Sequence, residues 1–231
     1  MGFENRINEI HQDEIESPKI LTIISTEGRV TEPAYFEMIK SKLELNTLIE
    51  IDIIEKESNC SSPECVLTDL NIYVESKYSF SKENDTLWLV LDLEHSEKNR
   101  DKVIQIQNEV EELNSKVKGE YRLALTNPNF EFWLLLHFAN IKQYNITELF
   151  ENRMIESKQG NRKFLEKCLD NLDIFKYSKK ERFVNIVMDS IVTKENIDKA
   201  IFQEKNYKNN IDEILNHLGS NIGDLVSSII K

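Results

Sequence analysis

Four short apolar runs, each followed by a stretch with helical signals, constrain this chain more than any other feature. Residues Ile20 to Thr26 and Thr86 to Asp92 are nearly continuous in apolar and β-branched side chains, the pattern of strands buried on both faces. Thr47 to Glu55 instead alternates, with Ile49, Ile51 and Ile53 on one face and Glu50 and Asp52 on the other, which predicts an edge strand. Tyr121 to Leu125 is a fourth, shorter run.

Helices are predicted between them. Glu32-Pro33 opens one that runs to about Leu45, because proline suits a first helical turn and the residue before it avoids the α region. Glu64 to about Tyr78 is a second. In the third, from about Asn99 to Lys118, Val103, Ile106, Val110, Leu113 and Val117 recur at spacings of 3 and 4, one apolar stripe that Gly119 closes. Asn127 or Asn129 caps a fourth, reaching about Ala139. The alternation β-α-β-α-β-α-β-α predicts an α/β fold with a mostly parallel sheet flanked by helices. From about residue 145 the chain reads as polar and helical without a convincing strand, so residues 19–140 are expected to form the α/β core and 141–231 a helical extension. The first residues, to about Pro18, read as a tail or short leading helix.

Composition narrows the class further. Six glycines and four prolines in 231 residues are too few for a sandwich, a propeller or a collagenous repeat. No apolar run approaches the roughly 20 residues of a spanning helix. The Met-Gly-Phe-Glu-Asn-Arg start lacks the basic and apolar segments of a secretion signal, so a cytoplasmic location is expected. Cys60, Cys65 and Cys168 fit neither a zinc spacing nor an even disulfide framework, and reduced thiols are expected. Only Gly28 and Gly119 lie within the strand-helix region, which excludes a P-loop or a dinucleotide fingerprint, and no Gly-x-Ser-x-Gly elbow occurs.

What remains is acid at the ends of strands. Ligands of open parallel sheets bind beyond the carboxyl ends of the strands. Glu27 follows the first strand, while Asp92 and Glu94 follow the third, two residues apart, so that an extended segment points both carboxylates the same way. Strand-end acids are commonly solvated turn residues; three on one rim suit a hard cation such as Mg²⁺, which takes one or two carboxylates plus water and substrate phosphate. Glu131 stands in Phe130 to Phe138, a helix apolar nearly all round. A carboxylate there needs a partner, a metal or a raised pKa, or else simply answers the helix dipole. His95 either contacts a phosphate or metal or is a hydrogen-bonded turn residue, and His137 is expected to be a core histidine.

Charge is uneven. Lys and Arg number 29 against 41 Asp and Glu, a net −12 that suits non-specific nucleic-acid binding poorly. Between Arg153 and Arg182, however, nine basic residues face five acidic ones, a local net of +4. Arg162, Lys163, Lys167, Lys179, Lys180 and Arg182, with Phe164 and Tyr177 among them, either guide a phosphate backbone to the rim or form a solvated helical face.

Three segments together resemble the RloB-like family and its Toprim-type fold: the strand leading to Glu27-Gly28 with Thr31-Glu32-Pro33-x-Tyr35-Phe36, the strand leading to Asp92-x-Glu94-His95, and Asn127-Pro128-x-Phe130-Glu131-x-Trp133 through Phe138. The resemblance covers roughly residues 19–140. It implies a fold shared with topoisomerases, bacterial primases and overcoming-lysogenisation nucleases, in which a strand-end glutamate and an Asp-x-Asp pair organise Mg²⁺ for phosphodiester chemistry. Glu27 matches the glutamate and Asp92 the first aspartate; position 94 carries Glu in place of Asp. The implied activity is Mg²⁺- or Mn²⁺-dependent cleavage of DNA or RNA, transfer RNA included, in prokaryotic anti-phage defence. Glu27 is then base or metal ligand, Asp92 and Glu94 metal ligands, and Glu131 an auxiliary ligand or a supporting acid. The other reading is a non-catalytic Toprim-like adaptor docked on an ATPase partner. Expected partners are nucleic acid and that ATPase, with a homo-oligomer left open and no membrane.

Overall fold

The computed structural model describes residues 20–46, 48–56, 60, 62–77, 84–116, 119–156, 161–172 and 176–230. The expected leading tail and the helix ends at Tyr78 and Lys118 lie outside the described residues. Four strand-helix units come first: β1 (Ile20–Thr26), α1 (Thr31–Lys42), β2 (Ile49–Ile53), α2 (Pro63–Lys77), β3 (Thr86–Asp92), α3 (Glu97–Asn114), β4 (Glu120–Asn127) and α4 (Phe130–Leu136). After a 3₁₀ turn at Ile141–Gln143 follow α5 (Ile146–Glu151), β5 (Met154–Ile155), β6 (Arg162–Lys163), α6 (Phe164–Asp170), α7 (Glu181–Ile191), α8 (Lys194–Glu204), α9 (Ile211–Ile214), β7 (Gly219–Ser220) and α10 (Ile222–Ile229).

The sheet runs β2-β1-β3-β4-β7, parallel throughout except for β7. This is the mostly parallel, helix-flanked architecture of a Toprim-like fold, and β2 lies at its edge, as its alternation predicted. Side-chain alternation divides the core in two. Ile24, Trp88, Val90 and Ala124 face α1, α4 and the C-terminal helices, while Ile23, Leu87, Leu89, Leu91, Leu123 and Leu125 face α2, α3 and α9. Helix α4 is buried along its whole length between the sheet and α6 and α8, which is why its sequence is apolar on every side. Helix α1 begins at Thr31, two residues before Pro33, so the proline occupies the first turn, where a missing N–H costs nothing.

Two findings depart from the sequence reading. The C-terminal region contains strands: β5 and β6 form a small hairpin, and β7 pairs antiparallel with the end of β4. Beside β7, the Asn221 side chain accepts from Leu125 N–H at 2.6 Å and donates to the Leu123 carbonyl at 2.9 Å, standing in for the strand that β7 is too short to supply. Two-residue strands carry no period-2 signal, so the pattern could not reveal them. The second departure is a disulfide between Cys60 and Cys65, whose Cα atoms the turn into α2 brings to 6.1 Å. Cys168 is free and buried, and burial pushes its thiol up to about 11.

Candidate active site

The rim of the sheet is assembled from the C-terminal ends of β1, β3 and β4. Glu27 still belongs to the ladder, donating its N–H to Val90 O at 3.0 Å. At Gly28 a Cβ would fall 2.0 Å from Oε2 of Glu32, so the glycine leaves the space into which the Glu32 carboxylate turns back from α1. On β3, Asp92 donates its N–H to Glu27 Oε2 at 3.1 Å and accepts at Oδ1 from the Thr126 hydroxyl of β4, its register partner. Leu93 N–H to Thr126 O (2.9 Å) and Glu94 N–H to Pro128 O (2.6 Å) tie the following turn to the Asn127-Pro128 segment, which has a cis peptide bond. Glu94 and His95 both adopt left-handed backbone, φ 50° and 51°, a conformation uncommon outside glycine that recurs at functional sites.

Glu27, Glu32, Asp92, Glu94 and Glu131 line one cavity of about 330 Å³, together with Arg29, Thr31, Phe130 and Lys179. Burial, then the charges of Asp92 and Glu94, raises the Glu27 pKa from an ordinary 4.5 to about 8. Burial, with Glu131 adding to it, raises Glu32 to about 7. Asp92 is held well above the ordinary range by burial and by Glu32 and Glu131. Negative charge in this cavity is therefore expensive, and an added cation would relieve it.

Glu131 is 2% exposed and has protein partners: Lys179 Nζ at 2.7 Å and the Tyr177 hydroxyl, which donates to it at 2.6 Å. Lys179 also reaches Glu166 at 3.0 Å. Burial works against the Lys179 ammonium, but the two carboxylates outweigh it and keep its pKa above the ordinary value. The segment between α6 and α7 thus delivers a positive charge to the acidic cavity.

Of the residues singled out in the sequence, Glu27, Asp92, Glu94 and Glu131 line this one cavity, Glu94 from its exposed rim and ion-paired to Lys163 at 2.9 Å. The basic residues divide. Lys163 and Lys179 serve acids of the site, and Arg162 pairs with Asp170 and donates to the Tyr177 carbonyl at 3.3 Å, whereas Lys167, Lys180 and Arg182 are exposed. His95 is exposed, its ring 4.2 Å from that of Phe150. His137 is a core residue: Nδ1–H donates to Trp133 O and Nε2 accepts from Tyr35 OH, each at 3.0 Å, and burial lowers its pKa to about 4. The sequence reading did not count Glu32 among the site residues, naming it as the residue before a proline and as part of the first resembling segment. Its signal was the place four residues beyond Gly28, one turn into the helix that leaves the rim.

An α/β sheet of Toprim-like form with buried and half-buried acids gathered at its carboxyl edge is the class that fold and site define. The chain belongs to the RloB-like protein family, whose model matches residues 22–229. No curated protein and no solved structure matches it significantly.

Hard oxygen donors and the raised acid pKa values fit a Mg²⁺- or Mn²⁺-type ion by chemistry. Among the described residues, no three acid, histidine or cysteine side chains stand ready to hold an ion. The hydrogen-bonded pair Glu27 and Asp92, with Glu32 beside it, offers the one or two carboxylates that Mg²⁺ uses when water and a phosphate complete its sphere.

Proposed function

We propose that the protein is a metal-dependent nuclease acting on DNA or RNA, transfer RNA among the candidates, as an effector of prokaryotic anti-phage defence. The observation that carries this reading is the joining of Glu27 and Asp92, from separate strands, in an acidic cavity whose ionised form is penalised until a cation is present. Family membership and the Toprim-like sheet support it. Glu27 and Asp92 are the residues that would hold a divalent cation, which would supply Lewis acidity toward a phosphate oxygen. Glu27, where it is not itself a ligand of the cation, would be the group that takes up the proton of the attacking water. Thr126 fixes the Asp92 carboxylate, Lys179 and Tyr177 balance Glu131, and the ammonium of Lys179 faces the cavity where phosphate charge would lie.

The test is cleavage of plasmid, single-stranded DNA and total RNA with Mg²⁺ or Mn²⁺. Glu27→Gln and Asp92→Asn are expected to lower the rate by at least ~100-fold, in the range seen when a group acting in the transition state is lost, with the melting temperature nearly unchanged. Cleavage retained by both variants would overturn the assignment.

A second reading, a non-catalytic adaptor docked on an ATPase partner, is favoured by one observation: Glu94, at the second position of the acidic pair, is drawn to Lys163 at the rim. Calorimetric titration with Mg²⁺ and Mn²⁺ separates the two, since the adaptor has no saturable binding that disappears with Asp92→Asn.

A further inference from the structure

The loop from β1 to α1 brings a cation to the acidic cavity. Arg29 follows Glu27 by two residues, is exposed, and lines the same cavity. We propose that Arg29 binds a backbone phosphate of the substrate strand, beside the phosphate addressed by Glu27 and Asp92, with Lys56 as its positioning residue. The proposal rests on the nuclease reading for the identity of the strand, though not for its test.

Topology is the first argument. In the order β2-β1-β3-β4, Glu27 and Asp92 stand at the ends of the two middle strands, and cations flank them on both sides. On the β4 side Lys179 is tied to Glu131 and Glu166, and Lys163 to Glu94. On the β2 side the cations are Arg29, from the β1–α1 loop, and Lys56, which follows the end of β2 at Ile53. Neighbouring strands lie about 4.8 Å apart. A nucleic-acid strand crossing the rim therefore meets the acid pair and this flank at successive steps of its backbone.

The turn that presents Arg29 is fixed at three carbonyls. Lys56 Nζ donates to Glu27 O at 3.0 Å, the Thr26 hydroxyl to Gly28 O at 2.8 Å, and Ala34 N–H to Val30 O at 3.2 Å. The guanidinium thus extends from an anchored backbone at the mouth of the cavity. Lys56 is half-buried, and among the described residues its ammonium makes no contact ion pair, so its charge reaches the rim less neutralised than that of Lys163 or Lys179. Burial lowers the Lys56 pKa from 10.5, and although Asp69, Glu27 and Glu32 oppose the shift, the charge of Arg29 adds to it, so the two cations are close enough to repel. An anion bound at Arg29 relieves that repulsion. The planar fork of an arginine matches two oxygens of a phosphate, and a phosphodiester supplies the negative charge that a base lacks.

The experiment uses full-length protein carrying Asp92→Asn, so that binding is read without cleavage, and a fluorescent single-stranded oligonucleotide titrated at several salt concentrations. Arg29→Ala is expected to weaken binding about fivefold or more and to lower the slope of log K against log salt by about 0.7, the share of one phosphate on a single strand. Arg29→Lys should keep the slope and recover only part of the affinity, since a point charge replaces a fork. Lys56→Met should weaken binding about threefold or more and Lys56→Arg should restore it, while Lys40→Ala, in the last turn of α1, should change nothing. Parent affinity and slope in Arg29→Ala, or an equal loss in Lys40→Ala, would overturn the subsite, and failure of Lys56→Arg to restore binding would overturn the role of Lys56. Absence of oligonucleotide binding, with or without Arg29-dependent binding of inorganic phosphate, would overturn the subsite too. Arg29-dependent binding by a wild-type chain that cuts nothing supports the subsite while removing the nuclease reading; cleavage whose rate and salt dependence ignore Arg29 does the reverse.

Discussion

The carboxylate of Glu27 accepts a hydrogen bond from the backbone N–H of Asp92 at 3.1 Å, joining residues 65 positions apart. The contact exists because β1 and β3 are adjacent and parallel, with Thr26 in register with Val90, so both chains leave the sheet at the same edge. A cation that binds this pair should stabilise the folded state by mass action. At a hundredfold excess over its Kd the gain is about 2.7 kcal/mol. Melting curves with and without Mg²⁺ or Mn²⁺ should show an upward shift in the wild type and none in Asp92→Asn.

Lys179 and Glu131 form a pair in which only the lysine is solvent-accessible, 44% against 3% for the side chains. Removing the lysine strands a buried carboxylate, so Lys179→Met should destabilise the protein by about 1–3 kcal/mol, below the full cost of breaking a buried pair because water reaches one partner. Glu131→Gln in the same chain should recover part of the loss. A double-mutant cycle by denaturant unfolding measures the coupling.

The exposed cations should act on affinity and the paired ones on stability. Lys180→Ala and Arg182→Ala are each expected to weaken nucleic-acid binding and lower the slope of log K against log salt by about 1 if the residue contacts phosphate. Arg162→Ala, which breaks the contacts to Asp170 and Tyr177, should instead lower the melting temperature. Binding measured at several salt concentrations beside thermal unfolding distinguishes the two groups.

Glu204 gives a pH dependence remote from the acidic cavity. It is 4% exposed, accepts from Gly223 N–H at 3.1 Å at the start of α10, and burial raises its pKa from 4.5 to about 7. Above the unfolded pKa the unfolded chain releases this proton while the folded one keeps it, so stability is lost as pH rises from about 4.5 to about 7 and is flat beyond. The slope is at most about 1.4 kcal/mol per pH unit. Glu204→Gln should lower the slope in that window by up to this amount, leaving the part that Glu27 and Glu32 contribute.

Much of this molecule was legible in its sequence because the signals were local. The run Thr86–Asp92 and the stripe Val103, Ile106, Val110 state their periodicity directly, and Glu27 and Asp92 announce themselves by ending apolar strands at a common edge. Helix α4 declared its burial, with Glu131 as its one charged residue, by the same reasoning.

Other features depended on contacts that no window of sequence contains. That Glu32 turns into the cavity follows from the space left at Gly28, that Lys179 balances Glu131 follows from how the segment after α6 crosses α4, and that Asn221 completes the edge of β4 follows from the position of β7. Periodicity fixes which face of an element is buried; only packing decides which distant side chain meets it, and an ion pair or a two-residue strand leaves no repeating trace along the chain.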